Sequence, residues 1–246
     1  GSVQRLDFGG QSSRDEAPSA PDPQWQPLTS LPAPDTHRTL PAGVILDEPA
    51  SLATLKDLRP LGQIHESFIL AAGRDGLWII DQHVAHERVL FERLLKEMLS
   101  GRVERQQLLL PHIIEISPSQ QVEYARIEGE LRRSGFETEL FGNRTIAVQA
   151  APAGVGHADV EKLIYEILEI SERELRRVSL DDLRRGIAAS VACRAAIKVN
   201  TRLDAAKIEW LLAALAETEC PMSCPHGRPV ALRYSMREIL KAFHRI

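Results

Sequence analysis

The hydrophobic period changes between residues 64 and 100, and that change restricts the chain to a mixed fold. Ile64, Glu66, Phe68 and Leu70 alternate with His65, Ser67 and Ile69, the period-two pattern of a strand. Asp75-Gly76 is a turn signal, and Leu77-Trp78-Ile79-Ile80 is a second short apolar strand, so the two predict a hairpin. From Gln82 to about Ser100 the pattern becomes helical, with Val84, Phe91, Leu95 and Met98 on one stripe. A hairpin running into a long helix predicts an α+β fold.

The rest of the chain divides around this piece. Residues 1–43 hold seven of the fifteen prolines and no periodic apolar pattern, so they read as a disordered linker, with order starting near Val44. Residues 101–177 read as a separate small α+β unit. Strands are expected over Leu108–Ile116, Phe136–Phe141 and Arg144–Gln149, and helices over Ser119–Ser134 and Asp159–Ile170. Helices return in 178–246. Ser179 with Asp182 resembles a capping box, and the 180–198 helix that follows is nearly all apolar from Ile187 to Ile197, as a buried helix is. Asp204 can cap a helix in which Ile208, Leu211, Leu212 and Leu215 form a stripe, either intrachain core or a dimer contact. Pro229–Ser235 reads as a strand and Met236–Phe243 as a last helix.

Net charge is −4, so no bulk basic field draws the chain to nucleic acid. The basic clusters at Arg132-Arg133, Arg173 to Arg177 and Arg184-Arg185 read as solvated helix surface. No apolar run reaches the roughly 18–20 residues of a membrane helix, and no membrane partner is expected. Three cysteines are too few for a disulfide framework and point to a reducing, cytoplasmic setting with thiols available to metals.

Three stretches carry chemistry. In Asp81-Gln82-His83-Val84-Ala85-His86-Glu87, His83 and Glu87 lie four apart and can share one metal ion; His86 is a competing ligand. Glu92 lies about 140° round the helix from Glu87 and is not expected on the same ion. Read alone, this is an exposed polar helix face beside a strand end. Cys224-Pro225-His226-Gly227-Arg228-Pro229 offers a thiolate and an imidazole from a stiff loop, suited to zinc. Ala192-Cys193-Arg194 lies in the apolar helix, where a lone cysteine is usually a small core residue, but the arginine needs a partner. His83, Glu87, Cys193, Cys224 and His226 together supply donors for two ions.

In this combination the chain resembles the endonuclease-proficient MutL family. The family's Asp-Gln-His-Ala, two residues, Glu, four residues, Glu signature is met by Asp81, Gln82, His83, Glu87 and Glu92, with Val84 for Ala. Its Ala-Cys-Arg motif matches 192–194, its Cys-Pro-His-Gly-Arg-Pro motif matches 224–229, and its Phe-x-Arg motif matches Phe243 and Arg245. The resemblance implies a metal-dependent endonuclease that nicks double-stranded DNA, with a dimerisation and endonuclease subdomain from 44–100 and 178–246 and a regulatory subdomain inserted at 101–177. It implies Zn²⁺ at the site and Mn²⁺ or Mg²⁺ for activity. ATP would enter only through a further upstream domain. It also implies a homodimer in the bacterial cytoplasm at the nucleoid, a mismatch-recognition partner reached through the full-length protein, and a docking segment for the replication sliding clamp in Gln106, Leu109 and Pro111.

Within that resemblance Asp81 is expected as a further ligand or as the group orienting water. Gln82, Glu92 and Arg194 are expected to fix ligand geometry, and Arg228 to meet a phosphate or to pair with Glu92 or Asp81. The rival reading is a non-catalytic dimerisation module with a closed site of Cys193, Cys220, Cys224 and His226. A further rival is a zinc hydrolase acting on a small substrate.

Overall fold

The structure, a computed structural model, describes residues 55–142, 144–174 and 179–246. The linker expected over 1–43 and the start of order at Val44 lie outside them. The fold is α+β. Its first sheet contains β1 (Arg59–Ile64), β2 (Phe68–Gly73), β3 (Gly76–Asp81) and β7 (Ala231–Ser235), in the order β1-β2-β3-β7 with antiparallel neighbours. A second, three-stranded sheet has the order β4-β6-β5, from β4 (Arg105–Glu115), β5 (Glu137–Leu140) and β6 (Thr145–Pro152). The helices are α1 (Gln82–Ser100), α2 (Pro118–Arg133), α3 (His157–Glu174), α4 (Leu180–Ala195), α5 (Ala205–Ala216) and α6 (Met236–Ala242).

The continuous strand expected through Ile64 and Leu70 is instead two strands joined by a turn. His65 and Glu66 both take left-handed φ of 47°, and the Ser67 N–H donates to the Ile64 carbonyl. Ile69 and Ala71, not Phe68 and Leu70, face the core. The β2–β3 hairpin turns on Arg74-Asp75, and Gly76 opens β3. A Cβ at Gly76 would lie 2.0 Å from the Tyr234 carbonyl oxygen, so only glycine lets β7 approach here.

Each sheet has its own core, and α1 belongs to both. Val84, Ala85 and Val89 pack with Trp78, Ile80 and α5; Phe91, Leu94 and Met98 pack with the second sheet, α2, α3 and α4. Two faces of one helix are therefore buried, where the sequence showed one stripe. Ile208, Leu211, Leu212 and Leu215 are intrachain core, as are Ile187, Ala188, Val191 and Ala192 of α4, so these residues are not available to a dimer partner. Asp204 caps α5, its carboxylate accepting from the Lys207 N–H at 2.8 Å. Ser179 does not close a capping box: its hydroxyl donates to Asp182 at 2.8 Å. In the basic clusters Arg132 pairs with Glu128, and Arg133 and Arg184 pair with Glu130, while the cluster at 173–177 lies largely outside the described residues.

Candidate functional site

The pairing of β3 with β7 decides where the site forms. The two run antiparallel, with Ile80 opposite Ala231. The end of β3, where α1 begins, and the loop entering β7 therefore share one edge of the sheet. Two stretches some 140 residues apart meet there. Asp81 ends the strand and caps α1, its Oδ1 accepting the N–H groups of His83 and Val84 at 2.9 and 3.0 Å.

The 223–229 loop is held by backbone bonds of its own. Ser223 bridges to Pro229, Cys224 N–H donates to Arg228 O at 2.9 Å, and Gly227 N–H donates to Cys224 O at 3.0 Å. Gly227 has a φ of 81°, a turn conformation that suits glycine. The result wraps Cys224: its Sγ, buried, receives the N–H groups of His226 and Arg228, both at 3.3 Å. Two amide N–H groups thus converge on one sulfur.

Glu87 completes the cluster. Its carboxylate is fully buried. Oε2 accepts from the Arg228 guanidinium at 2.6 Å, so Arg228 pairs with Glu87 and not with Glu92 or Asp81. A side-chain hydrogen bond to Cys224, and then the Glu87 charge, hold the Arg228 pKa above its ordinary value against the opposing effect of burial. Oε1 lies 2.7 Å from His226 Nδ1 but out of line for a hydrogen bond, and is left without one. Donor atoms of Glu87, Cys224 and His226 all lie within 4.8 Å of one another. A buried carboxylate oxygen with no hydrogen, facing a thiol and an imidazole, fits a divalent cation, and the mixed oxygen, nitrogen and sulfur set fits zinc.

The other expected donors stand just outside this set. His83 lies one turn earlier on α1, with Nδ1 donating to the Ile197 carbonyl at 2.8 Å. Cys193 is half-buried; burial and then the Glu87 charge raise its pKa, while Arg194 and Arg228 oppose them. His86 is not placed to compete as a ligand through Nδ1, which accepts the Ile197 N–H at 2.9 Å. Burial, aided by neighbouring His83, lowers its pKa to about 4, so it is neutral at pH 7. Cys220 is exposed and belongs to no donor group among the described residues.

The residues expected behind the ligands take distinct places. Glu92 reaches the loop that leads to Cys224, not the donors: it accepts from the N–H groups of Glu219 and Cys220. Arg88, which sequence reasoning passed over, pairs with it. Gln82 sits on the far side, buried, donating to Glu66 O and Thr201 O and accepting from Gln63. Arg194 finds its partner in Glu166 of α3 at 2.6 Å.

Away from the cluster, β4 loses register with β6 between Gln107 and His112, so residues 108–111 bulge outward. Pro111 has no N–H for the ladder, which accounts for a break there. Leu109 is fully exposed and Leu110 nearly so, while the Gln106 amide is held by Val155 O. Phe243 and Arg245 follow β7 and α6, at the opposite end of that strand from Cys224, and Phe243 is exposed.

The chain is thus an α+β domain that gathers a carboxylate, a thiol and an imidazole at one sheet edge. The family model of the MutL C terminal dimerisation domain matches residues 61–203. The chain is 63% identical over 242 residues to the DNA mismatch repair protein MutL of Solibacter usitatus, covering 98% of this chain and 36% of that protein. It is 58% identical to the protein of the same name from Koribacter versatilis, covering 81% of this chain and 31% of that one, and 53% identical to that of Acidobacterium capsulatum, covering 81% and 30%. The chain belongs to the MutL C-terminal dimerisation domain family, and spans about a third of the length of these relatives. No helix among its described residues is long and apolar enough to cross a membrane.

Proposed function

We propose that this chain is the metal-dependent endonuclease and dimerisation region of a DNA mismatch repair protein, and that it nicks double-stranded DNA. The observation that carries the reading is the Glu87 Oε1 atom, buried, without a hydrogen bond and facing Cys224 and His226. Glu87, Cys224 and His226 would hold a zinc ion, with His83 and Cys193 next to reach it, and Mn²⁺ or Mg²⁺ would support the reaction. A cation bound there supplies Lewis acidity toward a phosphoryl oxygen and a lowered pKa for water.

The chain's own residues do the rest. Arg228 is half-exposed while one of its nitrogens grips Glu87, so its outer donors can meet a phosphate and hold the strand against the cluster. Asp81, spent on the cap through Oδ1, fixes the direction of α1 and with it Glu87 and His83. Against the closed Cys193, Cys220, Cys224 and His226 site stands the donor set itself, in which Glu87 takes the place that reading gives to Cys220.

Partner surfaces follow from exposure. Phe68, Leu70, Leu77, Ile79, Leu232 and Tyr234 occupy the outer face of the first sheet, opposite its core. A second copy of the chain covers that face in the homodimer. The bulge at Leu109 and Leu110 offers an apolar hook to the sliding clamp, from a regulatory unit at 101–177 inserted into the catalytic one. Delivery to DNA, mismatch recognition and ATP use belong to the longer protein.

The test is nicking of supercoiled plasmid with Mn²⁺, with and without clamp. Wild type should nick, and Glu87→Gln should lose at least about tenfold. No nicking by wild type with clamp present, or equal nicking by Glu87→Gln, refutes the reading.

A further inference from the structure

We infer that Arg88, acting with Glu92, is a positioning residue that sets the shape of the Cys224–His226 loop around the metal, an inference that rests on the metal site proposed above. Arg88 and Glu92 are both less than a tenth exposed, and they pair along α1 with Nη1 3.5 Å from Oε1. Between them they take three backbone groups of the incoming loop. Arg88 Nε donates to Ser223 O, Glu92 Oε2 accepts the Glu219 N–H at 2.8 Å, and Oε1 accepts the Cys220 N–H at 3.2 Å. The last of these anchors, Ser223, directly precedes the Cys224 donor. The far end of the loop is fixed separately, by the Ser223–Pro229 bridge and the β3–β7 ladder.

Burying a guanidinium and a carboxylate is costly, and an apolar pair of similar volume often serves stability as well. What the ion pair supplies and an apolar pair does not is a fixed set of directions for the three loop groups. Arg88 also follows Glu87 immediately. One turn of helix therefore delivers both the carboxylate donor and the latch on the loop bearing the other two donors, so their spacing is set by covalent helix geometry. The hydrogen bonds of the latch go to the loop backbone and between its own two side chains. Its effect reaches the donors through the loop backbone.

The experiment is Co²⁺ titration of the full 246-residue chain, read by the thiolate-to-cobalt charge-transfer band and the visible d–d bands, with thermal melts alongside. Wild type should show both sets of bands. Their absence in wild type would sink the metal site itself, whatever Arg88 does. Given those bands, the double variant Arg88→Met/Glu92→Met removes both charges together. It should keep its melting temperature within a few degrees yet bind Co²⁺ about 10- to 100-fold more weakly with altered d–d bands. Arg88→Lys keeps a charge for Glu92 without the fork that also reaches Ser223, and should fall between. A folded double variant with wild-type affinity and spectrum overturns the assignment. Should the double variant not fold, Arg88→Lys and Glu92→Gln decide by the same measure: unchanged affinity and spectrum in both defeats it.

Discussion

His83 and His86 hold the two polar groups of a single residue, Ile197: one ring donates to its carbonyl and the other accepts its N–H. A carbonyl only accepts and an amide N–H only donates, so Nδ1 carries a proton in His83 and a lone pair in His86. With His83 Nδ1 committed to Ile197, Nε2 is the ring nitrogen left to reach another partner. His86 is neutral with its proton on Nε2, packed edge-on against Trp210, and serves as a spacer between α1 and the α4 exit.

That division makes stability acid-sensitive. The folded His86 pKa, about 4, lies below the ordinary histidine value of 6.5. The unfolded chain therefore binds more protons between those values, and stability rises with pH across that window. Melting at pH 4.5 should be lower than at pH 7. The His86 share of that loss should be about 2 kcal/mol after solvent screening. His86→Asn retains an acceptor for Ile197 and should flatten this part of the curve. An unchanged slope would remove His86 as its source.

Arg228→Ala leaves the buried Glu87 carboxylate without its cation. The metal-free protein should lose about 3 kcal/mol. Zinc at about 100 times its Kd should return roughly 2.7 kcal/mol by binding only the folded state. Denaturant titration with and without zinc measures both. No zinc-dependent gain in either protein would speak against Glu87 as a ligand.

Asp81→Ala should cost about 1 kcal/mol through the lost cap of α1, whereas Asp81→Asn should restore most of it. If Asp81→Asn nicks DNA as wild type does, the carboxylate charge has no part beyond the cap.

Leu109→Ala and Leu110→Ala remove exposed side chains, so each should change stability by less than about 0.5 kcal/mol. Clamp binding, measured by surface plasmon resonance, should fall at least about tenfold. Undiminished binding would place the docking segment elsewhere.

Ile79→Glu or Leu232→Glu places a charge on the outer face of the first sheet, where the two residues are paired across β3 and β7. Sedimentation at micromolar concentration should show the wild type as a dimer and these variants as monomers with unchanged far-ultraviolet circular dichroism. A charge at Ile208, a core position of α5, should unfold the chain instead. A dimer that survives both sheet substitutions would require another interface.

Much of the local structure was legible because it depends on near neighbours. The β2–β3 hairpin, α1 and the Asp204 cap follow from alternation, helical spacing and capping chemistry within a few residues. β1 was not legible. Pro60 and Gly62 lie inside it and weaken any strand pattern, and an edge position with a bulge tolerates them. Arg88 and Glu92 carried a readable signal, the i, i+4 spacing of a helix ion pair. What that pair holds, the N–H groups of residues 219 and 220, lies more than 120 residues away and leaves no local trace.

The sequence by itself determined the composition of the site: which side chains can give oxygen, nitrogen or sulfur to a cation, and the stiff Pro- and Gly-bearing loop that carries two of them. Tertiary structure alone decided which of them meet. Antiparallel pairing of β3 with β7 places Glu87 against Cys224 and His226 and gives Arg228 to Glu87, while helix packing gives Arg194 to Glu166 and turns the α5 stripe inward; Cys220 stays outside the cluster. The reason is physical: donor chemistry belongs to a side chain wherever it sits, whereas proximity and burial arise only when distant strands form their ladder and exclude water together.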